Sequence, residues 1–212
     1  MHELSGEGPA ISMTNRGMKG AVTFDAAAFV PAPPPAASRP PRYLPPEGDA
    51  FATIVRRAAE SSIGPTETPP TDSVIAQRLR ARDFVARAAW GTLIRTPDRT
   101  HLWGDTRSSN SALLTREAGR IEAMAAAWAG ASEIDSPGLR GNPQLLADTL
   151  AALETFLDHR WTPATKWGVN WWDYEIGVPR GVFGAMCVLG PHVTPELKAK
   201  AMAAMEHFTA DP

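Results

Sequence analysis

The chain has 212 residues, 43 % of them hydrophobic and 21 % charged, with a formal net charge of −2 at pH 7, the composition of an ordinary globular domain. No window reaches the roughly 20 apolar residues of a membrane span, and the basic excess that grips a phosphate backbone is absent, so neither a membrane nor a nucleic acid is an expected partner. The single cysteine, Cys187, lies in the apolar run 182–189; it has no intrachain partner and reads as a small core hydrophobe.

In chain order, the first feature is proline. Of 20 prolines, 12 fall in the first 70 residues and eight within the sixteen positions 31–46. Such a stretch supplies few backbone donors and favours extended conformations, so residues 1–50 read as a disordered Pro-rich tail. Arg16 and Lys19 before the mildly apolar stretch 21–30, with Ala36 and Ala37 beyond, faintly resemble a secretory leader. Asp25 in the middle of that stretch favours the flexible-tail reading.

From about Phe51 the punctuation is helical, and the folded part is taken as 51–212. Thr71 and Asp72 are candidate caps for a helix whose apolar set is Ile75, Leu79, Val85 and Ala89, with Arg80, Arg82, Asp83 and Arg87 as a solvated face and an anionic partner as the weaker alternative. The polar cluster 108–111 precedes a second helix, with Leu114, Ala118, Ile121, Met124 and Trp128 at spacings of three or four. Asn142 caps a third, Pro143 fills its first position, and Leu146, Leu150, Leu153, Phe156 and Leu157 follow before His159 and Arg160 suit its C-terminal dipole. A fourth carries Val182, Phe183, Met186 and Leu189 and stops at Gly190 and Pro191. Thr194 and Pro195 open the last, with Leu197, Ala201, Met205 and Phe208 facing inward. No alternating strand pattern occurs, so the fold class is all-α, with successive helices spaced by roughly 30 to 35 residues and joined by loops, as in stacked αα-hairpins.

One segment stands out: residues 159–180, reading HRWTPATKWGVNWWDYEIGVPR. Trp161, Trp167, Trp171 and Trp172 fall within twelve residues, among Pro163, Gly168 and Pro179, which mark it as mainly loop. Exposed indoles beside Asn170, Asp173, Tyr174, Glu175 and Arg180 suit a sugar-binding cleft, since flat rings stack on pyranose faces while polar groups take the hydroxyls; packing anchors for a long loop are an equal alternative. Asp173, Glu175 and Arg180 are expected to form an ion-pair network fixing the loop, with Arg180 facing a substrate carboxylate as the alternative. Asp173 and Glu175 also suggest the carboxylate pair of a glycosidase, though a spacing of two separates them on a helix. His2, His101, His159, His192 and His207 are too scattered for a metal site.

The run Asn170-Trp171-Trp172-Asp173-Tyr174-Glu175-Ile176-Gly177-Val178-Pro179-Arg180 resembles the hallmark of the polysaccharide lyases that include hyaluronate, chondroitin AC and xanthan lyases. Leu102-Trp103-Gly104-Asp105, followed by the helix with Arg116, Arg120, Ile121 and Met124, is similar to an earlier stretch of the same family. The resemblance covers 51–212 and implies the N-terminal part of an incomplete (α/α) toroid, acting outside the cytoplasm in the extracellular space or periplasm. It implies an acidic, uronate-containing polysaccharide as partner, of the hyaluronan, chondroitin or xanthan type. Cleavage would be by β-elimination, with no metal and no organic cofactor. Carried over, Trp171 and Trp172 are the aromatic patch that positions the polymer and Asn170 is its polar neighbour; Arg180, read from its residue type and not from the family, joins them as a candidate substrate contact. The family's catalytic Asn, His and Tyr follow this motif and have no counterpart before residue 212, so no catalytic residue is assigned, Tyr174 reads as a hydroxyl anchoring the loop, and little or no turnover is expected. A non-catalytic carbohydrate-binding or structural helical domain is the alternative function.

Overall fold

A computed structural model describes residues 49–64, 73–130, 138–168 and 170–209, all within one compact unit, Pro45–Pro212. Of the proposed 1–50 tail, residues 1–48 lie outside the described residues, as do the caps at Thr71 and Asp72; Asp49 and Ala50 cap and open the first helix rather than ending a disordered stretch. The rest is all-helical, as expected, with no strand among the described residues. Helix α1 is Ala50–Ile63, α2 Ser73–Thr92, α3 Ser111–Gly130, α4 Pro143–His159, α5 Val178–Leu189 and α6 Pro195–Thr209. Short 3-10 turns at Gly104–Thr106 and Gly190–His192 lie between them, and a π-helical segment, Asp173–Gly177, leads directly into α5.

The central element is α3. Its residues Leu114, Ala118, Ile121 and Met124 are buried as the spacing predicts, and Ala123 and Ala125–Ala127 are buried with them. Small side chains let neighbours come close, and α1, α2, α4 and α5 all pack against α3, while α6 packs on α4. At the α3–α5 crossing a Cβ on Gly181 would lie 2.8 Å from the backbone carbonyl carbon of Ala118. Only a glycine permits that separation.

Caps follow the sequence. Asn142 accepts hydrogen bonds from the Gln144 and Leu145 amides at 2.9 and 3.1 Å, Pro143 opens α4, and Thr194 Oγ1 accepts from Leu197 N–H at 3.3 Å. Helix α1 lies ahead of the first expected element. Asp49 caps it through the Phe51 and Ala52 amides, but it contains no fully buried residue, so it depends on Ala59 and Ile63 packing against the core.

The expected face of α2 needs partial correction. Ala89 is buried and Leu79 half-buried as expected, but Ile75 and Val85 are exposed, and Asp83 and Ala86 face the core. Arg82 and Asp83 are not a solvated face: the Arg82 guanidinium donates to the Ile63, Ser62 and Gly130 carbonyls at 2.6, 3.3 and 3.0 Å and pairs with Asp83 at 2.6 Å. One cation thus joins the C-terminal ends of α1 and α3, where unpaired carbonyls and helix dipoles attract positive charge. Cys187 is half-buried rather than a full core residue, and burial pushes its thiol pKa up.

Candidate functional site

The tryptophan motif is helical, not loop. Irregular structure ends at Asn170; Trp171 and Trp172 start a helical path that continues through the π segment into α5. The Val178 amide donates to the Asp173 carbonyl, five residues back, and Pro179 then contributes no amide at all. Widening the turn accommodates a proline that would break a regular helix interior, which is why Pro179 misleads when read as loop punctuation.

Asp173 organises this turn from the inside. It is buried and accepts hydrogen bonds from Ser111 Oγ at 2.7 Å, Thr115 Oγ1 at 2.7 Å and Asn170 Nδ2 at 2.8 Å. Two of the donors belong to the first turns of α3, so the motif is pinned to the central helix by hydroxyls rather than by a cation. Because a carboxylate only accepts, Asn170 must turn its nitrogen toward Asp173, leaving its carbonyl oxygen as the acceptor presented to solvent.

The structure separates the four tryptophans into two kinds. Trp161 is 0 % exposed and stacks on Phe208 at 5.8 Å between centroids, so it is a packing anchor. Trp167 is 46 % exposed but has one face stacked on Tyr174 at 6.0 Å. Trp171 and Trp172 are 53 % and 41 % exposed and adjacent, with Ile176 exposed one turn further on. A Cβ on Gly177 would approach both Trp172 Cζ3 and Thr115 Oγ1 at 2.6 Å. Gly177, a residue missed in the sequence, therefore makes room for the Trp172 ring to lie against its own helix beside α3.

The expected ion-pair network among Asp173, Glu175 and Arg180 does not form. Asp173 is satisfied by neutral donors, and Arg180 is exposed, with no carboxylate within ion-pair distance among the described residues. Its charge acts instead on Glu122 of α3, partly offsetting the burial that raises the Glu122 pKa. Nor can Asp173 and Glu175 serve as a hydrolytic pair, because the Asp173 carboxylate is enclosed. Tyr174 anchors through its ring, not its hydroxyl: it is 2 % exposed and stacks on Phe208 at 5.1 Å, and its hydroxyl has no hydrogen-bond partner among the described residues.

The second stretch, 102–105, is interior. Leu102 and Trp103 are buried, Trp103 Nε1 donates to the Ala89 carbonyl at 2.8 Å, and the buried Glu117 accepts from the Leu102 amide, Thr106 Oγ1 and Arg160 Nε at 3.1, 2.6 and 2.7 Å. Glu117 and Arg160 thus tie this loop to the end of α4. Sequence patterning offered no sign of that pair, since a glutamate on a helix is ordinarily solvated. No group of three or more metal-ligating side chains occurs among the described residues.

With this geometry in place, residues 59–212 match the family model of polysaccharide lyase family 8, N terminal alpha-helical domain. The chain belongs to this family. A hyaluronate lyase, HylB, of Cutibacterium acnes is 36 % identical over 110 residues, 51 % of this chain and 13 % of that protein. Among solved structures, a Paenibacillus xanthan lyase superposes with a TM-score of 0.67 at 25 % identity, covering 78 % of this chain and 16 % of its own. A Streptomyces coelicolor chondroitin AC lyase, determined with chondroitin sulphate, superposes with a TM-score of 0.62 at 30 % identity over 76 % of this chain and 21 % of its own. The family 8 chain therefore spans a small fraction of the length of these relatives, and its all-helical architecture is that of their toroid.

Proposed function

We propose that Trp171 and Trp172 bind an acidic, uronate-containing polysaccharide of the hyaluronan, chondroitin or xanthan type, forming the aromatic part of a cleft in which the polymer is cleaved by β-elimination. The observation that carries this reading is the exposure of two adjacent indoles, 53 % and 41 %, on a turn otherwise locked by buried hydrogen bonds. Rigid, exposed rings cost little entropy to bury against the apolar faces of a pyranose. Asn170 offers an acceptor to a sugar hydroxyl and Arg180 a planar donor to a uronate carboxylate. The resemblance to relatives named for acidic glycans supports the same partner, and with it the reading that the chain acts in the extracellular space or periplasm.

In β-elimination a base removes the proton on C5 of the uronate, a C4–C5 double bond forms, and the C4–O bond breaks as the leaving oxygen takes a proton. Such a base must reach its proton within hydrogen-bond distance. Tyr174, stacked on Phe208 and Trp167, and His159, at the end of α4, line a cleft to which neither Trp171 nor Trp172 contributes, so neither stands on the tryptophan platform. The described residues therefore bind and orient the polymer, and proton transfer falls to groups other than these.

Calorimetry and absorbance of unsaturated uronide on mixing the purified chain with hyaluronan, chondroitin sulfate and xanthan test both halves of this reading. Binding without turnover is expected, weakened about tenfold by Trp171→Ala or Trp172→Ala with the melting temperature preserved. Wild-type binding that survives both substitutions would overturn the assignment of these rings, and robust formation of unsaturated uronide would overturn the division between binding and proton transfer.

A further inference from the structure

Beside the π segment lies a cleft of about 380 Å³, lined by side chains of the loop 159–166, the approach to α3 and Tyr174. None of Asn170, Trp171, Trp172 or Arg180 contributes to it. We propose that this cleft is a second subsite, taking one anionic substituent of the glycan, a uronate carboxylate or a sulfate ester. The proposal rests on the glycan-binding reading above.

Charge is the first argument. Lys166, Arg160 and His159 line the cleft, and no Asp or Glu does. Arg160 already spends its Nε on Glu117 and one terminal nitrogen on the Thr106 and Ser108 carbonyls, at 2.7, 2.7 and 3.1 Å. Its charge is therefore balanced by Glu117. Lys166 is exposed and has no partner among the described residues, so it is the uncompensated cation of the cleft. An ammonium on the rim and no carboxylate inside select an anion.

The second argument is preorganisation. Thr165 Oγ1 accepts from the Thr162 amide at 3.0 Å and donates to the Arg160 carbonyl at 3.1 Å, while Thr162 Oγ1 accepts from the Ala164 amide at 3.1 Å. These bonds fix the turn directly before Lys166. Tyr174 supplies the third argument: it lines the cleft, and its hydroxyl, which has no protein partner among the described residues, stays open to solvent. A hydroxyl so placed is free to donate a charge-assisted hydrogen bond to an anionic oxygen. The volume lies at the small end of ligand pockets, suited to one sugar unit and its charged group.

The full chain is titrated with inorganic sulfate, hyaluronan oligosaccharides and chondroitin sulfate oligosaccharides, following the Thr162, Thr165 and Lys166 amides by NMR and affinity by calorimetry. Lys166→Ala, Lys166→Arg and Trp171→Ala are compared with wild type. The expected result is that sulfate and at least one class of oligosaccharide shift the cleft amides, and that Lys166→Ala weakens oligosaccharide binding about tenfold while Lys166→Arg largely restores it. Trp171→Ala should weaken the oligosaccharides and leave the sulfate response intact. Shifts with hyaluronan identify the carboxylate as the bound group; shifts confined to the sulfated polymer identify the sulfate ester. Unmoved cleft amides, or unchanged affinity in Lys166→Ala alongside a weakened Trp171→Ala, would overturn the subsite and leave the tryptophan reading standing. Sulfate binding with no response to any oligosaccharide would overturn the subsite's assignment to a glycan together with the reading on which it rests.

Discussion

Asp173 holds its place in the core without a cation. Ser111, Thr115 and Asn170 all donate to it, so removing the carboxylate leaves a buried hydroxyl, a half-buried one and a carboxamide without this acceptor. Asp173→Ala is expected to destabilise the fold by about 1–3 kcal/mol in chemical denaturation, and to free Asn170 to rotate. Glycan affinity should then fall even in conditions where the variant remains folded, a loss that calorimetry against hyaluronan oligosaccharides would detect. At this scale the sequence was legible in its residue types and illegible in their pairing. The four tryptophans were visible, yet nothing local separated Trp161, buried on Phe208, from Trp171 on the surface, because Phe208 is distant along the chain. The expected partners of Asp173 were charges close in sequence; the actual ones are hydroxyls on α3.

Helix by helix, legibility followed packing. Helices α3, α4 and α6 show their buried stripes in the spacing of Leu, Ile, Met and Phe, because those residues meet the core directly. In α2 the same reasoning was right for Ala89 and wrong for Ile75 and Val85. Its inner side is made of alanines, Trp90 and the Arg82–Asp83 pair, of which periodicity scores all but Trp90 as neutral or polar, whereas Val74, Ile75, Phe84 and Val85 point outward. The α3–α5 contact depends on an equally inconspicuous residue. Gly181→Ala places a methyl against the Ala118 backbone, and backbone cannot yield as a side-chain tip can. A loss of about 1–3 kcal/mol is expected, read as a lowered denaturation midpoint with an unchanged slope.

Over the whole molecule, pH and surface apolarity set the behaviour. Burial raises the Glu122 pKa above its ordinary 4.5, against the charge of Arg180 and the Ser62 hydrogen bond. A carboxyl whose folded pKa is raised favours folding most below its unfolded pKa, and that contribution is lost as pH rises through the folded value. Stability should therefore carry a penalty at neutral pH that Glu122→Gln removes, a gain on the order of 0.5 kcal/mol after allowing for the water that still reaches the group. The gain should vanish below about pH 4, and equal stabilisation in acid would contradict the assignment. Helix α1 exposes Phe51 at 81 % together with Ile54 and Val55, and Phe84 of α2 is also exposed. Apolar area of this kind is expected to drive concentration-dependent association, reduced by the double substitution Phe51→Ser and Phe84→Ser; light scattering across a dilution series would measure it. The all-helical class and the family were legible from the sequence, the former from periodicity and the latter from an eleven-residue motif. The long-range ties, Arg82 across two helix ends and Glu117 to Arg160, were not, since each joins residues far apart in the chain.

A π turn amounts to an α-helix that has taken in one additional residue. Excising a single position from 173–177 would let the coil close to regular pitch, and because the wide turn had already absorbed that residue, the helix before it would turn by only a fraction of the roughly 100° that one α-helical residue contributes. What would be lost is the slack around Pro179, which would then stand in a regular helix interior against the carbonyl four residues back. A relative that lacks one residue at this turn is therefore expected to have replaced the proline as well.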